Sequence, residues 1–146
     1  MILINEASAE AAADRIFYDG TCGLCHLAVL FVLRYEPRGE ESFRFAPLQG
    51  STFAAVAAAL EKRSLPDSLV VQTARGHLLV RSDGVLHILE KVGGGWRLAA
   101  GLLRIVPRSL RDRTYDLVAR LRGRFFGRPE AVCPTVDREL RERFDP

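Results

Sequence analysis

Four consecutive residues, Cys22-Gly23-Leu24-Cys25, have the spacing on which dithiol chemistry rests. Where such a pair opens a helix, the first sulfur meets the positive end of the helix dipole and backbone N–H groups without intrahelical partners. The thiolate is then favoured, and the thiol pKa falls from about 8.5 into a range of about 3.5 to 7.5. Cys22 is the expected attacking thiol. Cys25, three residues on, shares nearly the same helix face and is the expected resolving thiol for a mixed disulfide on Cys22. Thr21 or Asp19 supplies a side-chain oxygen suited to capping the helix, and Asp19 is also a candidate to accept or deliver the thiol proton. Against that role, an Asp-Gly turn accounts for Asp19 without chemistry, and a carboxylate beside the thiol would raise its pKa. The exchange itself requires neither a bound cofactor nor a metal.

The surrounding pattern supplies a strand-turn-helix to hold the pair. Ile16-Phe17-Tyr18 is a β-favouring run ended by Asp19-Gly20, the apolar stretch Leu24 to Leu33 is long enough for a helix, and its nearly continuous apolar run Leu27 to Leu33 predicts burial on most sides. Pro37-Arg38-Gly39 closes that helix, and Ser42 to Ala46 alternates as a second strand. Ser51 is a candidate N-cap for an Ala-rich covering helix running to about Arg63. Ser68 to Thr73 and His77 to Arg81 read as a hairpin around Gly76, and Asp83-Gly84 opens a helix that lasts to Gly93. This βαβ-α-ββ-α order predicts an α/β fold with a thioredoxin-like central sheet flanked by helices.

Beyond the glycines, Trp96 to Val106 and Ser109 to Phe126 read as two further helices separated by Pro107. In the second, Leu110, Thr114, Leu117, Val118, Leu121 and Phe125 share a face that is expected to pack on the core. The whole is a single domain: a core of about 15–95, a C-terminal helical segment of about 96–128, and an irregular tail, 129–146, containing Cys133. The first dozen residues read as a loose leader without a basic n-region, and no segment is apolar for long enough to span a membrane. Cytoplasmic residence is the expectation.

Three cysteines in 146 residues do not make a disulfide framework, and a net charge of +3 does not describe a general nucleic-acid binder. From Arg104 to Arg128, however, eight arginines stand against Asp112 and Asp116. Since the chain has nineteen arginines and two lysines, composition explains much of that run; contact with acidic partners is the alternative to a solvated face, and nucleic-acid binding is not expected. Cys22-Gly23-Leu24-Cys25-His26 also matches c-type haem attachment, but no export signal precedes it and the only methionine is Met1, so an axial Met is lacking. Zinc on Cys22, Cys25, Cys133 and one of His26, His77 or His87 would need a second closely spaced ligand pair, which the chain does not have. A non-catalytic interaction module, zinc-bound or docked through the arginines, is therefore the second reading.

Tyr18-Asp19-Gly20-Thr21-Cys22-Gly23-Leu24-Cys25 resembles the signature of the DCC family of thiol-disulfide oxidoreductases, whose naming residues stand here as Asp19, Cys22 and Cys25. The similarity continues through Phe45-Ala46-Pro47-Leu48-Gln49, Arg81-Ser82-Asp83, Trp96-Arg97-Leu98 and the arginine-rich helix with its Phe126-Gly127 end. It spans roughly Ile16 to Phe144. The resemblance implies a thioredoxin-like fold and dithiol/disulfide exchange; a disulfide-bearing protein or a small thiol is the substrate expected from that chemistry. Two positions depart from thioredoxins in general. Ser68, after Pro66-Asp67, stands nearest the place of their cis-proline, and Ile16 occupies the place of their buried acid, leaving Asp19 as the nearby carboxylate.

Overall fold

The computed structural model describes residues 13–19, 23–37, 42–59, 69–125 and 142–145. In chain order these form β1 (Asp14–Tyr18), α1 (Gly23–Tyr35), β2 (Phe43–Pro47), α2 (Ser51–Ala59), β3 (Val70–Gln72), β4 (Leu78–Val80), α3 (Arg81–Val92), α4 (Gly95–Ile105) and α5 (Arg108–Phe125). The sheet order is β2-β1-β3-β4, with β1 parallel to β2 and β3 antiparallel to both β1 and β4. This mixed four-stranded sheet between helices is consistent with the thioredoxin-like fold that the element order predicts. The leader, Gly20 to Cys22, the stretch 60–68 and Cys133 lie outside the described residues.

The period of two along each strand divides the core between two sheet faces. Ile16 and Tyr18 of β1, Phe43 and Phe45 of β2, and Val71 of β3 lie in one buried cluster with Cys25, Val29 and Val32 of α1 and Ile88 and Val92 of α3. Phe17, Ala46 and Val70, their neighbours along the strands, form a second cluster covered by Phe53 and Val56 of α2. Phe17, Phe43 and Phe45 are fully buried, which stabilises each by roughly 1.5 to 3 kcal/mol relative to an exposed ring.

Several boundaries and faces depart from the sequence pattern. Helix α1 is not buried on most sides: Leu27 and Leu30 are exposed, and the core takes Cys25, Val29 and Val32 at helical spacing. Helix α3 starts at Arg81, directly after β4, rather than at Asp83-Gly84. Its N-cap residue, Val80, makes no side-chain capping bond, and the chain turns from strand to helix at Arg81, whose φ is 54°. That left-handed conformation costs a non-glycine residue about 1 kcal/mol, and no Ser, Thr or Asp cap marked the boundary. Gly84 allows the helix to sit close to the hairpin, since a Cβ there would lie 3.2 Å from the Leu79 carbonyl oxygen.

The face of α5 expected to pack on the core is turned outward. Leu110, Leu117, Val118 and Leu121 are exposed, whereas the helix docks on α3 through polar contacts: Ser82 Oγ donates to Asp112 (2.5 Å), Arg108 pairs with Asp83 (2.9 Å) and Arg81 with Asp116 (3.7 Å). Nor is the tail wholly irregular. Phe144 bridges Phe45 in parallel, with Phe45 N–H donating to the Arg143 carbonyl and Asp145 N–H donating to the Phe45 carbonyl (2.9 and 2.7 Å). This short addition covers the open edge of β2.

Two carboxylates, buried Asp14 and part-buried Asp145, brace the amino-terminal end of β1 and β2. Asp14, at the start of β1, accepts from the Ala74 N–H (2.8 Å) and meets His87 Nε2 (2.5 Å) and Lys91 Nζ (2.9 Å) of α3. Burial pushes its pKa up, but the bonds from Lys91, His87 and Ala74 outweigh that and hold the carboxyl below its ordinary value. Asp145 is held low in the same way: burial raises its pKa, and bonds from Arg44 and Arg15 more than reverse the shift. A depressed folded-state pKa contributes stability that is complete above the unfolded value and is lost as pH falls through the folded one. Urea melts should therefore show stability declining from about pH 5 downward, and Asp14→Asn should lower stability at pH 7 while flattening that acid slope. An unchanged slope in the variant would remove Asp14 from the account.

Candidate active site

The carboxyl ends of β1 and β2 and the amino end of β3 meet at one edge of the sheet, because β1 and β2 run parallel and β3 opposes them. The register pairs Tyr18 with Pro47 and Phe17 with Val70. Leu48 N–H donates to the Tyr18 carbonyl (2.8 Å), so the chain leaving β2 stays against the end of β1. Helix α1 begins at Gly23, the residue after Cys22 in the chain. Its first turn contains no acidic side chain and its last turn carries Arg34, so no nearby carboxylate within the helix offsets the positive end of the dipole.

Cys25 is only 6% exposed and belongs to the main core cluster with Ile16, Tyr18 and Val29. A thiol packed in this way is shielded from outside reagents. Asp19 is half-buried just past β1, and its Oδ1 accepts a hydrogen bond from Gln49 Nε2 (3.0 Å), which ties the loop after β2 to the loop before α1. Gln49 stands in the sequence analysis only as the last residue of the Phe45-Ala46-Pro47-Leu48-Gln49 similarity, with no contact to Asp19 expected of it. Phe144 was also missed. Its ring stacks on Phe45 (5.1 Å between centroids) and meets Tyr18 edge-on (6.4 Å), supporting the strand that leads into Asp19.

The other candidate ligands are dispersed. His26 is half-buried on α1, His77 is exposed ahead of β4 rather than within a strand, and His87 is held by Asp14 at the opposite end of β1 from Asp19. Among the described residues, no group of three or more His, Cys, Asp or Glu side chains gathers as a metal site would require. Cys22, Thr21, Pro66, Ser68 and Cys133 lie outside the described residues. A cavity of about 400 Å³ opens elsewhere, between α3, α4 and α5. Arg104 pairs there with Glu90 (2.6 Å), whereas Arg111 only faces Asp83 (3.8 Å) and keeps its buried Nε and Nη1 without a hydrogen-bond partner among the described residues.

Residues 16–128 match the family described as DCC1-like thiol-disulfide oxidoreductase. The chain belongs to this family. It is 31% identical to YuxK, an uncharacterized protein of Bacillus subtilis strain 168, over 95% of this chain and 99% of the relative. It is 30% identical to a chloroplastic DCC family protein of Arabidopsis thaliana, over 88% of this chain and 75% of the relative. No solved structure matches the chain significantly. Membership of the DCC1-like family supports a thiol-disulfide redox role in general, and it covers the sheet, the cysteine pair and both C-terminal helices. Among the described residues of this DCC1-like chain, no helix is long and apolar enough to cross a membrane.

Proposed function

We propose that the chain exchanges disulfides through Cys22 and Cys25, with a disulfide-bearing protein or a small disulfide as substrate. The observation that carries this reading is the burial of Cys25 in the first turn of α1, at the sheet edge where β1, β2 and β3 converge. Cys22, as thiolate, attacks one sulfur of the substrate disulfide; a mixed disulfide forms and the other substrate sulfur leaves as a thiolate. Cys25 then gives up its proton and attacks Cys22, forming the Cys22–Cys25 disulfide and releasing the second substrate thiolate. An external dithiol must reduce the pair before another cycle. The same steps in reverse oxidise a substrate dithiol.

Asp19 is assigned to accept or deliver the Cys22 proton. Its bond from Gln49 fixes the carboxylate's orientation. The small cysteine count supports a reducing compartment, with the cytoplasm as the assigned one. Iodoacetamide alkylation followed across pH, with peptide mapping, tests the activation of Cys22. Its midpoint should fall well below about 8.5, within the range of about 3.5 to 7.5 seen for thiols at helix starts. A midpoint at the ordinary thiol value would remove the nucleophile, and with it the proposed activity.

A further inference from the structure

Helices α4 and α5 present to solvent the apolar stripes that amphipathic helices ordinarily bury. In α4 the only buried residue is Ala100, whereas Leu98, Leu102 and Ile105 are 73%, 68% and 79% exposed. These three are spaced i, i+4 and i+7, so they form one continuous line on the helix surface. In α5 the exposed line is Leu110, Leu117 and Leu121, with Val118 beside it, because the opposite side is committed to α3 through Asp112, Asp116 and Arg108. Both helices therefore turn an apolar stripe away from α3.

The charge beside these stripes has one sign. Arg113, Arg120 and Arg124 follow helical spacing along the flank of the α5 stripe, and Arg97 lies beside the α4 stripe; all four are exposed and have no acidic partner among the described residues. The two acidic side chains of α5, Asp112 and Asp116, are both engaged towards α3. A symmetric second copy on this face would set arginines against arginines, and a nucleic acid would answer the arginines but not the leucines. An anionic lipid surface answers both, since the headgroup–acyl boundary takes apolar side chains and the lipid phosphates take guanidinium groups.

We propose that α4 and α5 form a peripheral docking surface for an anionic phospholipid bilayer, with Leu98, Leu102 and Ile105 entering the interface and Arg97, Arg113, Arg120 and Arg124 meeting lipid phosphates. The full chain should co-sediment at low salt with phosphatidylcholine vesicles containing phosphatidylglycerol and not with phosphatidylcholine vesicles alone. Trp96, the single tryptophan, stands at the start of α4 and should change its fluorescence on binding. Arg113→Gln/Arg120→Gln/Arg124→Gln should weaken the partition about a hundredfold, and added salt should do so progressively. Leu102→Asp/Ile105→Asp should also abolish it, at positions so exposed that the fold, checked by circular dichroism, is retained.

Absence of binding to the anionic vesicles overturns the proposal. So does arginine-dependent binding that is indifferent to the leucine changes. Sedimentation velocity supplies the remaining test: a dimer split by Ile105→Asp, in a chain that ignores vesicles, assigns the face to a second copy.

Discussion

Cys22→Ser should reduce disulfide exchange to the rate without enzyme, a loss of at least about a hundredfold, because a serine hydroxyl stays protonated where the thiolate must attack. Cys25→Ser should fail differently. The substrate would still be attacked, but the mixed disulfide on Cys22 would persist. With 5,5′-dithiobis(2-nitrobenzoate), the reduced wild-type pair should release two equivalents of the coloured thiolate and end as an internal disulfide. Cys25→Ser should release one equivalent rapidly from Cys22 and keep a nitrobenzoate adduct visible by mass spectrometry. Cys133→Ser should retain the wild-type stoichiometry for the pair, once its own thiol is accounted for. Full activity in Cys22→Ser would falsify the assignment of the nucleophile, and a second rapid equivalent from a resolved Cys22 adduct in Cys25→Ser would transfer the resolving role to Cys133.

Glu36→Ala should cost about 3 to 5 kcal/mol of stability, among the largest effects of any single change in the chain. Glu36 follows α1, and its Oε1 accepts from the N–H groups of Ser42 and Phe43 while its Oε2 pairs with Arg143 (2.6 Å). Both side chains of the pair are less than a tenth exposed, and the guanidinium also donates to the Phe43 carbonyl (2.7 Å). Removing the carboxylate leaves a buried cation and two backbone donors without an acceptor, which is far more costly than losing a surface ion pair. For a domain of this size the midpoint of thermal unfolding should fall by roughly 10 °C. Arg143→Ala should be nearly as damaging, and the double variant should cost less than the sum of the two single changes. Strict additivity in urea melts would show that the two residues act separately.

The frame was legible because its strands are short β-favouring runs bounded by turn residues. Ile16-Phe17-Tyr18 and the hairpin around Gly76 stood out by composition and Phe43 with Phe45 by alternation, and the sheet contains strands at all these places. The start of α1 beside the cysteine spacing was legible as well. What could not be read were interactions between distant segments. Asp14 looks in sequence like a charge in a loose leader, and its burial depends on His87 and Lys91, a helical i, i+4 pair more than seventy residues away. The α5 stripe misled for a related reason: an apolar face predicts burial only when nothing else competes for the docking side, and here Asp112 and Asp116 bind α3 first. Gln49 reaches Asp19 across 30 residues, and Phe144 reaches Tyr18 from beyond α5.

The pairing of Phe144 with Phe45 also has a consequence for biosynthesis. While residues 142–145 are still inside the ribosomal tunnel, β2 has been made but lacks its outer neighbour, so the nascent chain displays an open strand edge and Tyr18 lacks one of its aromatic supports. Closing a loop of this length carries an entropic cost that local contacts cannot offset in advance. This end of the sheet is therefore completed only after residues 142–145 are made, and a ribosome-stalled product ending before residue 142 should be a better chaperone client than the released protein.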